Sequence, residues 1–190
     1  MKNYPILESK NTSSIEEFIS FWSKQYHFTN MDFYTQNINK DQFTTDDILE
    51  LYTWKNGMRL STQKVNSIQA KVIPKLDIIN KLKQDSTPNL DFFLEEFKSL
   101  SFVWKIFLLH IISPETYPMY DQHIHRTFCF LHPDNPRILN AKQHELYFDY
   151  YLDFIKNEEI KDIREMDKAF FAFGQFINTK QYISLVQQNS

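Results

Sequence analysis

The stretch from Trp104 to Leu131, WKIFLLHIISPETYPMYDQHIHRTFCFL, limits what this chain can fold into more than any other. It is the longest strongly apolar run in the sequence, broken once by the proline-bracketed turn Pro114-Glu-Thr-Tyr-Pro118. Apolar residues at nearly every position before the turn describe a helix buried all round, and proline cannot continue it. Directly after the turn comes the densest ionisable cluster in the chain: Asp121, His123, His125 and Arg126. A buried helix that stops at a rigid turn and restarts behind a carboxylate is a scaffold that aims a polar group. The other segments must then supply amphipathic elements to cover it.

They read that way. Ser13 and Ser14 offer overlapping capping boxes with Glu16 and Glu17, ahead of Ile15, Phe18, Ile19 and Trp22 on one helical face. His27 to Asn39 has room for one short helix. Thr44-Thr-Asp-Asp47 starts a helix carrying Ile48, Leu51, Tyr52 and Lys55, and Gly57 suits its left-handed C-terminal cap. Ser61 opens a helical stretch through Leu82 that Pro74 must kink or split. Asn89 caps a helix expected over Leu90–Leu100, and Phe102–Ile112 follows with barely a break. Leu131 to Pro136 reads as a second turn, residues 142–157 as an aromatic helix, and Asp162–Ile177 as the last one. Residues 1–12 are expected to form an irregular lead-in, and Gln187–Ser190 a frayed end. No segment alternates over a strand length. The expected class is all-α, one domain over residues 1–190. Residues 90–178 form its core region, and residues 13–84 pack onto that region or complete a second lobe.

Composition narrows the function classes. With only 2 glycines in 190 residues, Gly-rich phosphate loops and dinucleotide-binding turns are disfavoured. The single cysteine, Cys129, excludes an intramolecular disulfide and any all-cysteine metal site within one chain, and its neighbours Phe128, Phe130 and Leu131 read as core. A net charge of −3 predicts no wholesale attraction to nucleic acid; a nucleic-acid ligand would need a local basic face, with Lys64, Lys71, Lys105 and Arg126 as first candidates. The N-terminus is too polar for a signal peptide, and no apolar run reaches the roughly 18–20 residues of a membrane span. The expected compartment is the cytoplasm, with no membrane partner.

Within the cluster, Asp121 stands where a helix N-cap belongs. Such a carboxylate stays ionised and can also stabilise developing positive charge. His123 and His125, two apart, point about 200° apart on a helix and cannot share a metal. Asp121 with His125 has the spacing to do so, but no third ligand is evident, and neither a metal nor another cofactor is expected. Lys105, between Trp104 and Ile106, reads either as a lysine snorkelling from the core edge or as an amine made nucleophilic by partial burial.

Tyr120-Asp-Gln-His-Ile-His-Arg126 resembles the V-D-T-H-[VI]-x-R element of the helix-hairpin-helix DNA glycosylase superfamily, with Asp121, His123, Ile124 and Arg126 matching in order. Asp167-Lys-Ala-Phe-Phe-Ala-Phe-Gly174 is similar to that fold's penultimate helix, where a small residue lets helices approach closely. The resemblance covers roughly residues 90–178. It implies a two-lobed helical fold whose partner is DNA, excising a damaged base from a flipped nucleotide. Asp121 would be the catalytic carboxylate, and Lys105, 16 residues upstream, stands one small gap from the family's nucleophilic lysine. Trp104, Tyr117 and Tyr120 are the aromatic candidates for holding the base, with His123 and Arg126 beside the substrate. The family's L-P-G-[VI]-G hairpin is replaced by Leu100-Ser-Phe-Val-Trp104, and its iron–sulfur cysteines are absent. Two alternatives stand beside this reading: a non-catalytic helical protein of the same ancestry that binds nucleic acid or a partner protein, and a small-molecule hydrolase using Asp121 and His125.

Overall fold

Local side chain to backbone bonds define where most helices begin. A computed structural model describes residues 12–179, so the expected lead-in and the frayed C-terminus lie outside the described residues. Ser14 caps α1 (Ile15–Trp22) by accepting the Glu17 amide; of the two candidate serines it is the cap. After α2 (Met31–Asn37), Thr44 caps α3 (Thr45–Asn56) in a reciprocal box with Asp47. Gly57 ends α3 at φ 70°, the left-handed cap expected of it. Pro74 splits the next stretch into α4 (Thr62–Lys71) and α5 (Leu76–Gln84), joined by a short 3-10 turn. Asn89 caps α6 (Leu90–Glu96), which stops four residues short of the expected Leu100 because the chain turns there into α7 (Phe102–Ile112). Asp121 caps α8 (Gln122–Leu131).

The proline-rich turn after α8 contains an unexpected helix, α9 (Pro136–Asn140). Asn135 accepts two of its first amides, and Pro136 fills the first position, where a missing N–H costs nothing. The aromatic helix at 143–157 is not uniform. It begins as α10 (Gln143–Glu145), widens into a π-helical turn over Leu146–Tyr151, and finishes as α11 (Leu152–Asn157). Asp162 caps α12 (Ile163–Phe176). All regular structure among the described residues is helical.

The buried apolar side chains make one contiguous cluster from Tyr34 to Phe170, and the larger share comes from residues after Leu90. Helix α7 lies in its middle, with residues 106 to 112 all buried. Helix α12 packs on α8 so closely that a Cβ on Gly174 would stand 2.1 Å from the His123 carbonyl oxygen. The approach brings Arg126 Nη1 to 2.7 Å from the Gly174 carbonyl and Thr127 Oγ1 to 2.6 Å from that of Phe170. On the outer side of α12, α1 lays Phe18 against Phe173 with ring centroids 5.1 Å apart, and Trp22 against Phe176 at the same separation. No described helix is long and apolar enough to cross a membrane.

Candidate functional site

The connection between α7 and α8 is held at successive backbone groups by buried side chains. His110 on α7 takes the Tyr117 carbonyl at Nδ1, 2.8 Å away. A carbonyl can only accept, so Nδ1 carries the ring proton. Nε2 then receives the Tyr34 hydroxyl at 2.8 Å. Burial holds this imidazole down at a pKa of about 3, against the raising effect of the Tyr117 bond. Tyr147 donates its hydroxyl to the Pro118 carbonyl at 2.8 Å, and Asp167 Oδ2 accepts the Met119 amide at 3.0 Å. Pro114 and Pro118 further restrict this connection. The result is a rigid arm that ends on Asp121.

The Asp121 carboxylate is fully engaged. Its Oδ1 accepts the amides of His123 and Ile124 at 2.9 and 3.1 Å, and its Oδ2 accepts Lys55 Nζ at 2.8 Å. Lys55 comes from the last turn of α3, so this ion pair ties α3 to α8. Both side chains are largely enclosed, at 10% exposure for Lys55 and 15% for Asp121. Burial alone would raise the Asp121 pKa. The Lys55 charge and hydrogen bond, with the two helix amides, outweigh it and hold the carboxyl below its usual range.

Asp167 is the opposite case. It is 1% exposed, and its Oδ1 has no hydrogen-bond partner. Burial pushes it well above the ordinary carboxylate range, the Asp121 charge adds to this, and the Met119 amide and Lys55 only partly oppose. Lys55 and the two amides favour the ionised form of Asp121, whereas burial favours the protonated form of Asp167. All three groups line a cavity of about 30 Å³, room for about one water. Its walls include the rings of Tyr26, Phe28, Trp54 and Phe171.

The expected site residues do not all gather there. Asp121 does. His123 is adjacent, its ring 4.8 Å from that of Phe171 and its Nδ1 3.2 Å from Arg126 Nη1. Arg126 is engaged in the α8–α12 seam. Lys105 is half-buried on α7, its pKa lowered by burial, but the lysines lining the cavity are Lys55 and Lys168. Trp104 packs on Tyr52 at 4.9 Å, with Lys64 Nζ 6.0 Å from its ring, outside the cavity lining. Tyr117 lines a separate groove, and Tyr120 is buried with its hydroxyl 2.9 Å from His125 Nδ1. His125 therefore faces Tyr120, and at 3.7 Å Cys129 Sγ, rather than Asp121. That removes the geometric basis of an Asp121–His125 acid–base pair. Among the described residues no three potential ligands gather for a metal ion.

Sequence reasoning missed Lys55 and Asp167. Asp167 left one signal: it is in register with Ile163, Phe170 and Gly174, a carboxyl on the buried face of an amphipathic helix. Lys55 left none, because its partner lies 66 residues away. Comparison with known protein families, with characterised proteins and with solved structures finds no match to this chain.

Proposed function

We propose that the chain is a divergent, glycosylase-like protein of the helix-hairpin-helix type, acting on a flipped damaged base in DNA. Asp121 is the carboxylate beside the sugar, and Lys55 rather than Lys105 is the amine. The observation that carries this reading is the 2.8 Å contact between Lys55 Nζ and Asp121 Oδ2, made between separate helices at an aromatic-walled cavity. An ionised carboxylate stabilises the oxocarbenium-like centre as the C1′–N bond breaks and its electron pair leaves with the base. As the Lys55 nitrogen forms the new bond to C1′, its proton passes to Asp121, whose charge is needed only until that bond forms. Asp167, the neutral acid, has a free oxygen in the same cavity from which to protonate the departing base. A nucleotide exceeds a cavity of about 30 Å³, so entry requires the cavity to widen. Lys64 and Lys71 share α4, Lys71 Nζ bonds the Ser99 carbonyl just before α7, and Lys105 follows in the first turns of α7. These three are the phosphate contacts of this reading, and the cytoplasm is its compartment.

One observation favours a second reading, a non-catalytic helical protein of the same ancestry that binds nucleic acid or a partner protein. Asp121 has both oxygens satisfied, and the cavity holds only about 30 Å³. Borohydride trapping on abasic and damaged duplexes separates the two. The enzyme reading expects a covalent adduct that Lys55→Ala abolishes and Lys105→Ala leaves, and base release that Asp121→Asn slows by orders of magnitude, with circular dichroism confirming each fold. Neither release nor adduct across a panel of lesions would leave only the binding protein.

A further inference from the structure

A wider groove lies away from Asp121. It runs between the Glu115–Tyr117 turn and the helix at 146–157, with a volume of about 760 Å³, within the range of ligand sites. Its floor is apolar: Leu90, Tyr117, Phe148, Leu152 and Ile155. Its rim carries Glu115, Asp149 and Glu159 against the single cation Lys156. Arg164 Nε comes within 3.6 Å of Glu115, and with Asp149, Lys156 and Glu159 all exposed, carboxylates outnumber cations at the opening.

Two departures from regular backbone shape this wall. The π-helical turn Leu146–Tyr151 contributes both Phe148 and Asp149, and such turns are rare outside places where a side chain must be re-aimed. Glu159 sits at φ 51° in the left-handed region. It closes the end of α11, with its amide on the Lys156 carbonyl and that of Ile160 on the Ile155 carbonyl. Glycine is the usual occupant of such a position, and a side chain there is strained. Here the strained position holds a carboxylate on the rim of the groove. An acidic rim repels phosphates, so nucleic acid does not fit. An apolar floor under carboxylates complements a chain segment with apolar side chains on one face and cations flanking them.

We infer that this groove docks a basic amphipathic segment of a partner protein, with its apolar side chains on Phe148, Leu152 and Ile155 and its lysines or arginines paired with Asp149 and Glu159. The inference is independent of any activity at Asp121. The test is fluorescence anisotropy with a labelled amphipathic leucine–lysine peptide, beside the same peptide with glutamate in place of lysine. The lysine peptide should bind at low salt and the glutamate peptide should not. Asp149→Lys combined with Glu159→Lys should weaken binding about tenfold, since each exposed pair is lost and replaced by repulsion. Asp46→Lys, on α3 and outside the groove, should leave it unchanged. Glu159→Gly supplies a readout that a purely structural glutamate would not: the Tm should rise by about 3 °C as strain is released, while the peptide binds more weakly. Absence of binding, equal binding to the charge-reversed protein, or displacement of the peptide by duplex DNA would each overturn the inference.

Discussion

Replacing Asp121 and Asp167 with asparagine, singly and together, tests the idea that Lys55 is served by two carboxyls of which only one is ionised. Asparagine at 121 keeps an oxygen for the His123 and Ile124 amides, so the helix cap survives. It removes the charge bonded to Lys55, whose side chain is only 10% exposed. Stranding a buried charge by removing its partner costs about 3–5 kcal/mol. In the single variant, however, Asp167 lines the same cavity, and the Asp121 charge that adds to the effect of burial in raising its pKa is gone. Asp167 then ionises and takes over Lys55, which limits the loss to about 1–2 kcal/mol. Asp167→Asn alone swaps a neutral acid for a neutral amide and retains an acceptor for the Met119 amide, so it should fall within about 1 kcal/mol of the parent. The double variant leaves Lys55 with neither carboxylate. Its loss should reach about 4 kcal/mol, exceeding the sum of the singles by about 2 kcal/mol. Urea unfolding at pH 7, followed by circular dichroism, measures all four proteins. Additivity within about 0.5 kcal/mol would refute the shared-lysine account.

Two further outcomes follow from other parts of the fold. His110 has a folded pKa of about 3 against an ordinary 6.5, so the unfolded chain takes up a proton in that window that the native state refuses. The stability that depends on its neutral form is therefore complete above pH 6.5 and is lost as pH falls. Urea melts should show the deficit of His110→Asn shrinking by about 2 kcal/mol between pH 7.5 and pH 5, and an equal deficit at both would mean that His110 titrates normally. Gly174→Ala must push α12 away from the His123 carbonyl, and thermal melts should report a loss of about 3 kcal/mol; a loss below about 1 kcal/mol would show the seam to be compliant.

The cap at Asp121 could be read from the sequence because it depends on three consecutive residues and a preceding turn, and the same holds for Thr44, Asn89 and Asp162. The splitting of the helix at Pro74 is equally local. The partner of Asp121 was not legible. The family resemblance pointed to Lys105, yet a helix can present its first turns to either side, and α7 turns Trp104 toward Tyr52 and Lys64. Only the tertiary placement of α3 decides that Lys55 arrives instead. The early end of α6 was hidden because Phe97 and Leu100 stay buried beyond the last helical turn, so the apolar pattern continues where the helix does not. The π turn at 146–151 inserts an extra residue without changing the aromatic character of the segment, and composition carries no trace of it.

The seam between α1 and α12 has a consequence for how the protein is made. From Trp22 to Ile163, where α12 begins, is 141 residues. Synthesis at about 5–20 residues per second therefore leaves α1 waiting roughly 7–28 s for the surface it packs on. Throughout that interval Phe18 and Trp22 stand on a helix of 8 residues, too short to persist alone in water. The first described helix to leave the ribosome is thus among the last to be secured. A chain cut short before α12 would carry those rings unburied, as a target for chaperones and proteases.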